Sequence, residues 1–238
     1  MGGARLAGDA AHQMPPFMGQ GMNSIMRDVI NLSLQLPLAI SGKSDEALLG
    51  NYEAERLSYV AGIVDWSVAI GQLMDHFAEV EAAEREGQTP PETPAERQPS
   101  RYGQGREAPP LRGGGIVMEQ VSDDGATGYL FSQPLVRDES GREFRLDERL
   151  GEGFTIVGRT VGDLAMNDAS RAVVSELGIE LCTIDGLEEL TGHVGRVVGF
   201  ADTLIVRPDR YVLGHTTDRL SLDQLLEQLR ENLHLNLA

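Results

Sequence analysis

Cysteine is almost absent from this chain, because Cys182 is the only one among 238 residues. A single thiol excludes an intramolecular disulfide, a CxxC redox pair and a zinc site built from cysteines, and it fits a reducing cytoplasm. Basic residues are also scarce: 20 Lys and Arg stand against 37 Asp and Glu, which gives a net charge of -17. This charge repels phosphate backbones, so we expect no nucleic-acid partner.

Long apolar runs are missing as well. Residues 63–73 form one of the longest, but Asp65, Ser67 and Gln72 interrupt it, and it is shorter than the roughly 20 residues that a membrane span needs. The first residues carry no apolar core of signal-peptide length. We therefore predict no membrane contact and a cytoplasmic location.

The sequence also lacks the dinucleotide-binding fingerprint GxGxxG, which follows a strand, opens a helix and seats a pyrophosphate. The stretch GGG at 113–115 follows a Pro-rich segment and has no spaced third glycine. Metal-ligand spacing is absent too. The sequence therefore predicts no metal site. Ordinary surface or packing roles are expected for four scattered histidines: His76, His193, His215 and His234.

Composition divides the chain into three predicted parts. Residues 79–115 are rich in Pro, Gly and charge, which is typical of a linker or surface arm. In the first part, 1–78, a short strand is predicted to end in RLAGDAAH. A helix follows from Met22 to about Ala39, with Asn23 or Ser24 as its cap. A second helix is predicted from Asp45 to His76, with Ser44 as its cap.

The third part, 116–238, has the order of a small α/β domain. Strands are predicted at 154–159, 179–185 and within 203–214, and helices at 168–178 and 221–233. This order predicts a thioredoxin-like sandwich. Structural roles are expected for several further residues. Cys182 is predicted to be a small apolar residue in a strand, and Glu188 and Glu189 are predicted to be surface charges on a helix. Arg207, Asp209 and Arg210 are predicted to lie in a hairpin turn.

Residues 8–28 read GDAAHQMPPFMGQGMNSIMRD and suit one wall of a flavin site. The carboxylate of Asp9 can accept hydrogen bonds from a chain of hydroxyls. Pro15 and Pro16 give an extended backbone that can lie against an aromatic ring, and Gly19 and Gly21 allow main-chain N–H groups to approach it. A helix N-terminus follows, which favours an anion such as reduced flavin.

This ordered run resembles the second FAD-binding motif of the class A flavoprotein monooxygenases. The similarity continues through YEAER at 52–56, and TLIVRPDRYVLG at 203–214 resembles the thioredoxin-like C-terminal domain of the branch that hydroxylates phenol and 3-(3-hydroxyphenyl)propionate. The chain departs from the family pattern at Leu34, Gln35, Leu57 and Ser58. Ile25 also replaces a usual glycine, where a branched side chain is expected to crowd the cofactor.

The resemblance implies a role for each matched residue. Asp9 would bind the ribityl hydroxyls and Pro16 would lie by the reactive edge of the isoalloxazine. The pyrimidine end would be surrounded by Gly19, Gln20, Gly21, Met22 and Asn23. His12 is expected to support the loop by hydrogen bonding, without a catalytic role. No catalytic residue is identified.

The resemblance therefore implies a partial FAD site, NAD(P)H as co-substrate and a small phenolic acid as substrate, hydroxylated ortho to its hydroxyl with O2. Without the GxGxxG half, this polypeptide alone is expected to be inactive. Two alternatives stay open: a non-catalytic module that docks onto a partner through its thioredoxin-like domain and long helix, and a truncated reading frame. We also expect an exposed apolar surface, which promotes self-association. The partner is expected to be either a second copy of the chain or a polypeptide that supplies the missing N-terminal half.

Overall fold

The computed structural model describes residues 4–16, 19–92, 109–121, 125–192 and 201–236. Contacts divide the chain into two compact units: Met1–Ile30 with Arg56–Pro109, called unit 1, and Asn31–Glu55 with Pro110–Ala238, called unit 2. Residues 31–55 therefore group with the C-terminal part of the chain, whereas the sequence places them with the N-terminal part. Part of the predicted linker, residues 93–108, and His193 lie outside the described residues.

Helix α1 spans Gln20–Ile40, two residues more at its start than predicted. Asn23 and Ser24 are therefore inside the helix, and their prediction as caps is wrong. The side chain of Asn23 donates a hydrogen bond to the carbonyl of Gly19 (3.2 Å). The strand predicted before the loop is also absent from the described residues: the backbone at Ala7 is extended, but it enters a 3-10 turn at Gly8–Ala10. An extended segment needs a hydrogen-bonded neighbour to be a strand.

Helix α2 spans Gly50–Arg85, and a 3-10 turn at Glu46–Leu49 precedes it. Asp45, and not Ser44, provides the cap, because its carboxylate accepts from the N–H of Ala47 at 2.8 Å. The helix passes the predicted end at His76 and enters the predicted linker. Among the described residues, Glu46–Arg85 is the one helical stretch whose length and composition would allow it to cross a membrane. Core helices pass the same test, so this is a weak indication.

Unit 2 contains a four-stranded sheet in the order β4 (Glu180–Thr183), β3 (Thr155–Gly158), β6 (Thr203–Val206) and β7 (Val212–His215). Strands β3 and β4 are parallel and are connected through helix α3 (Asp168–Leu177). Strands β6 and β7 form an antiparallel hairpin beside β3. Helix α4, Leu222–Asn232, closes the unit. This topology confirms the predicted thioredoxin-like α/β fold.

Both faces of this sheet are covered, which explains its continuous apolar strands. Along β6, Ile205 belongs to the core cluster that includes Leu225 and Leu229 of α4, whereas Leu204 and Val206 belong to the cluster on the other face. Leu48, from the turn before α2, is fully buried in the first cluster. The core of unit 2 therefore includes a residue from outside the predicted domain 116–238.

A second, three-stranded sheet was not expected from the sequence. Its order is β2 (Glu143–Arg145), β1 (Leu135–Arg137) and β5 (Glu188–Thr191), all antiparallel. The prediction that Glu188 and Glu189 lie on a helix is therefore wrong. Neighbouring residues of a strand also point to opposite faces, so the two carboxylates still do not act as a pair. Glu188 instead accepts a hydrogen bond from Arg137 at 2.8 Å.

Candidate functional site

Helix α1 is inverted compared with a typical surface helix, because its polar side is buried. Four polar residues at helical spacing are at most 2% exposed: Ser24, Asp28, Asn31 and Gln35. The opposite side exposes large apolar residues: Met22, Met26, Val29, Ile30, Leu36 and Ile40. We call this row the α1 apolar stripe. It confirms the expectation of an exposed apolar surface.

Asp28 is the centre of the buried polar cluster in unit 1. Its Oδ2 atom accepts the backbone N–H of Gly8 at 2.9 Å and lies 2.7 Å from Nε2 of His12, and its Oδ1 atom accepts Nε of Arg56 at 2.7 Å. Arg56 also lies over the ring of Tyr59, 4.5 Å from its centroid. The side chain of Asp28 is fully buried, so these donors replace its hydration. The expectation that His12 supports the loop is confirmed.

The cluster closes a short turn made of residues 8–12. The N–H groups of Ala11 and His12 donate to the carbonyl of Gly8 at 2.8 and 2.9 Å, while the N–H of Gly8 and the ring of His12 both reach Asp28. Asp9 lies within this turn and is exposed. None of the described residues donates a hydrogen bond to its carboxylate. Asp9 is therefore available to a ligand with hydroxyl donors.

The other residues predicted to hold the flavin follow this turn in unit 1. Pro16 is exposed, and its carbonyl accepts the N–H of Gly19 at 3.4 Å. Gly19 has a φ of +65°, and a Cβ built on Gly19 or Gly21 would meet no atom within 4 Å. Gln20, Gly21, Met22 and Asn23 form the first turn of α1, with Met22 65% exposed. The backbone here is open on the side that the glycines face.

Ile25 packs beneath the 8–12 turn. A Cβ built on Gly8 would lie 3.1 Å from Cγ1 of Ile25 and 3.3 Å from Cγ2. Gly8 also has a φ of +61°, a conformation that disfavours side chains. The branched side chain that replaces the family's glycine thus fills the space under Gly8.

We predict that Gly8→Ala destabilises unit 1 more than Gly19→Ala does. Both glycines have positive φ, so either substitution incurs a backbone cost of about 1 kcal/mol. Only Gly8→Ala adds a collision with Ile25, which raises the cost to roughly 2–3 kcal/mol. Thermal unfolding of the two variants measures the difference, and equal losses would show that Ile25 does not occupy this space.

A second buried cluster lies in unit 2 and joins α2 to the β6–β7 hairpin. The guanidinium of Arg207 donates to both oxygens of Glu55 at 2.7 and 2.8 Å and to both oxygens of Asp209 at 3.0 and 2.6 Å. Glu55 also accepts from Asn31 at 2.7 Å and from the N–H of Gly115 at 2.9 Å. Arg207 is 2% exposed and Glu55 is 1% exposed. The predicted hairpin-turn role of Arg207 and Asp209 is confirmed, and the ion pair is a further finding.

Hydrogen bonds and charges of neighbouring residues set the pKa values of Glu55, Asp28 and Arg207. Burial by itself raises the pKa of Glu55, but the charge and hydrogen bonds of Arg207, with the bonds from Gly115 and Asn31, hold that pKa below its ordinary value. Burial also raises the pKa of Asp28, and the bonds from Gly8, Arg56 and His12 lower it further than burial raises it. Burial lowers the pKa of Arg207, but the charges of Asp209 and Glu55 raise it above its ordinary value. All three groups stay charged at neutral pH.

These depressed pKa values predict a steep loss of stability in acid. A carboxyl group whose pKa is lower in the folded state stabilises that state above its unfolded pKa of about 4, and the contribution is lost as pH falls through the folded value. Urea unfolding at pH 7, 5, 4 and 3 should show a nearly constant free energy down to pH 5 and a decline below pH 4. A flat profile down to pH 3 would contradict the two clusters.

The surroundings of Cys182, His215 and His76 are those of residues with packing roles. Burial raises the pKa of the Cys182 thiol, which agrees with the predicted inert role. His215 contacts Thr127, with Nδ1 3.0 Å from its hydroxyl, and burial lowers the pKa of the imidazole. His76 is buried within α2. Within the described residues, no group of three or more His, Cys, Asp or Glu could hold a metal ion.

Comparison with known proteins extends this picture. The sequence model of the FAD binding domain family matches residues 2–67, and that of the HcaD C-terminal domain matches residues 128–232. The 3-(3-hydroxy-phenyl)propionate/3-hydroxycinnamic acid hydroxylase of Klebsiella pneumoniae (strain 342) is 36% identical over 162 residues, 64% of this chain and 28% of the relative. The corresponding hydroxylase of Shigella sonnei (strain Ss046) is 31% identical over 252 residues, 91% of this chain and 44% of the relative.

Solved structures give the same fold. Aklavinone-11 hydroxylase in complex with FAD and aklavinone matches 95% of this chain and 43% of its own, with a TM-score of 0.65 and 24% identity. The flavin-dependent monooxygenase PieE in complex with FAD and substrate matches 96% of this chain and 47% of its own, with a TM-score of 0.68 and 21% identity. The chain spans less than half the length of each of these relatives and structures.

The chain shares its two family models with flavin-dependent hydroxylases, and it shares their fold. The chain is related, over its matched residues, to the FAD-dependent aromatic hydroxylases, and the resemblance predicted from the sequence is confirmed. FAD is the cofactor of this family, as predicted, and NAD(P)H is its usual co-substrate.

Proposed function

We propose that this chain supplies one wall of the flavin site in an FAD-dependent monooxygenase that hydroxylates a phenolic aromatic acid, such as 3-(3-hydroxyphenyl)propionate, ortho to its hydroxyl. NAD(P)H provides the electrons, and the bound flavin supplies the chemistry that activates O2. The half of the site that binds the pyrophosphate comes from a GxGxxG segment that this sequence does not contain, so the chain alone is inactive. It acts in the cytoplasm.

The single observation that supports this proposal most strongly is the exposed carboxylate of Asp9 on the closed 8–12 turn. A carboxylate that no described residue engages can accept two hydrogen bonds from the ribityl chain. The open backbone beside Gly19 and Gly21 leaves room for the pyrimidine end of the ring, next to the first turn of α1. Pro16 lies on the exposed surface of the same loop. These features support a flavin at this wall of the site.

A comparison of flavins tests the role of Asp9 directly. Riboflavin carries the ribityl chain, whereas lumiflavin has the same ring with only a methyl group in its place. We expect Asp9→Ala to weaken riboflavin binding about tenfold or more, the loss of at least one charge-assisted hydrogen bond, and to leave lumiflavin binding within twofold. Equal weakening of both ligands would mean that Asp9 does not contact the ribityl hydroxyls.

The reaction itself requires a complementation experiment. The chain is refolded together with a polypeptide that carries the GxGxxG half, and NAD(P)H oxidation is followed in the presence of FAD. Oxidation that 3-(3-hydroxyphenyl)propionate stimulates, with formation of the catechol product, supports the proposed activity. A reconstituted, flavin-loaded complex with no substrate-stimulated oxidation and no product would contradict it.

The α1 apolar stripe favours a second candidate, a non-catalytic module that docks onto a partner subunit. Burial of such a row on association gives a favourable free energy. Met26 and Val29 lie in the stripe, so Met26→Asp and Val29→Asp should reduce self-association or partner binding, as measured by size-exclusion chromatography. Glu53→Gln changes an exposed residue of α2 outside the stripe and should leave association unchanged. A chain that stays monomeric both alone and with candidate subunits would count against docking.

A further inference from the structure

We propose that Asp28 is the positioning residue of the flavin-binding turn: through Gly8 and His12 it fixes residues 8–12 so that the carboxylate of Asp9 is held ready for the ribityl hydroxyls. This inference rests on the proposed function. It assigns a role to a residue that does not itself face the ligand, because the side chain of Asp28 is fully buried.

One oxygen of Asp28 contacts both ends of the turn, at Gly8 and at His12. Oδ2 accepts the backbone N–H of Gly8 at 2.9 Å and lies 2.7 Å from the ring nitrogen of His12, four residues further on. The two donors flank Asp9, so the backbone that carries the exposed carboxylate cannot rotate away without breaking one of these bonds. A ligand group held in this way loses little conformational entropy on binding.

The other oxygen fixes Asp28 itself. Oδ1 accepts Nε of Arg56, and Nη2 of the same guanidinium lies 3.4 Å from the carbonyl of Ser24. Asp28 is therefore anchored to α2 on one side and holds the turn on the other. Ile25, one helical turn before Asp28 on α1, fills the space below Gly8. The turn thus contacts α1 through the apolar side chain of Ile25 and through the hydrogen bonds that Gly8 and His12 make with Asp28.

A purely structural role would make a different prediction. If Asp28 only stabilised the fold, its removal would lower the folded fraction but leave the flavin affinity of the folded molecules unchanged. If it positions Asp9, its removal weakens binding only while Asp9 is present. A double-mutant cycle between the turn and Asp9 separates these roles, because residues that act through one another give non-additive effects.

The experiment measures FAD dissociation constants by quenching of flavin fluorescence, corrected for the folded fraction from circular dichroism. His12→Ala removes one of the two bonds to the turn at a residue that is 12% exposed and therefore less prone to unfold the chain than Asp28→Asn. We expect His12→Ala to raise the constant about tenfold, equivalent to about 1.4 kcal/mol. His12→Gln, whose amide nitrogen can replace Nε2, should restore binding to within about threefold.

The same His12→Ala change is then made in Asp9→Asn, for which we expect a weaker but measurable affinity because the amide oxygen can still accept a hydrogen bond. We expect less than a twofold further loss there. Asp163→Asn is the matched control, since it also replaces a carboxylate that accepts bonds from its own turn, at Thr160 in unit 2, and it should leave the constant unchanged. If Asp28→Asn folds, it should behave like His12→Ala.

The outcomes distinguish this inference from the proposed function. Equal losses from His12→Ala with and without the Asp9 carboxylate would overturn the positioning role, while FAD binding by the unmodified chain would leave the proposed function intact. Failure to quench FAD both by the unmodified chain and by the chain refolded with a polypeptide that carries the GxGxxG half would overturn the proposed function and the inference with it. Non-additivity with rescue by His12→Gln supports both.

Discussion

Replacing Arg207 with methionine is expected to lower the free energy of unfolding of unit 2 by about 3–5 kcal/mol. The substitution keeps an apolar side chain of similar length but leaves Glu55 and Asp209 buried beside each other without a cation. The cost comes mainly from these unpaired carboxylates, since an isolated buried charge is poorly compensated. Thermal unfolding measures it, with an expected fall in Tm of roughly 10 °C.

Arg230→Ala provides the control for Arg207→Met. Arg230 forms an ion pair with Glu227 on the surface of α4, and such exposed pairs contribute at most about 1 kcal/mol. A loss in Arg207→Met no larger than that in Arg230→Ala would contradict the buried cluster. Because α2 carries Glu55 within YEAER and the hairpin carries Arg207, the same result would also test whether the two motifs are joined in unit 2.

Leu48→Ala is expected to cost about 2–5 kcal/mol, the range for truncating a fully buried leucine. Leu48 precedes α2 and lies in the same core cluster as Leu225 and Leu229 of α4, although the sequence assigns it to another domain. Leu57→Ala is the matched control, because Leu57 is 69% exposed and its truncation should change stability by less than about 0.5 kcal/mol.

Urea unfolding of these two variants tests the composition of unit 2. A large loss for Leu48→Ala means that residues 31–55 belong to the folding unit of the thioredoxin-like sheet. Similar small losses in both variants would instead favour the division at residues 78 and 115 that the composition predicts. That division stays a prediction until this measurement is made.

The sequence predicts elements well where one local pattern decides the structure. Strands β3 and β6 are short apolar runs because both of their faces are buried. Helix α4 begins at a capping box made by Ser221 and Gln224, and α3 ends at Gly178 in a left-handed conformation. These signals lie within a few residues of the feature they determine, so the thioredoxin-like fold could be predicted.

Other features depend on partners that are distant in sequence. Strands β1, β2 and β5 have three or four residues each and carry charges such as Arg137 and Glu188, so no apolar run indicates them. Glu55 and Arg207 are 152 residues apart, and no local pattern joins them. The register of a short strand and the partner of a buried charge are decided by tertiary packing.

The buried cluster around Asp28 also has a signal in the sequence. The spacing of the apolar residues of α1 correctly predicts a helix, but it does not determine which side of that helix is buried. Ser24, Asp28, Asn31 and Gln35 recur at helical spacing and mark a second, polar side. A helix with a continuous polar row and an equally continuous apolar row can bury either one. In α1 the polar row is buried, because Asp28 accepts a hydrogen bond from Arg56 and Asn31 donates one to Glu55.

The measurement that tests the central claim most directly is an FAD titration of the chain as it stands, followed by quenching of the flavin fluorescence, beside the same titration of Asp9→Ala. The account predicts saturable quenching by the unmodified chain and a dissociation constant about tenfold or more higher for Asp9→Ala, with the fold preserved. Quenching that is absent, or that is identical in the two proteins, would contradict the assignment of residues 8–23 as a flavin-binding wall.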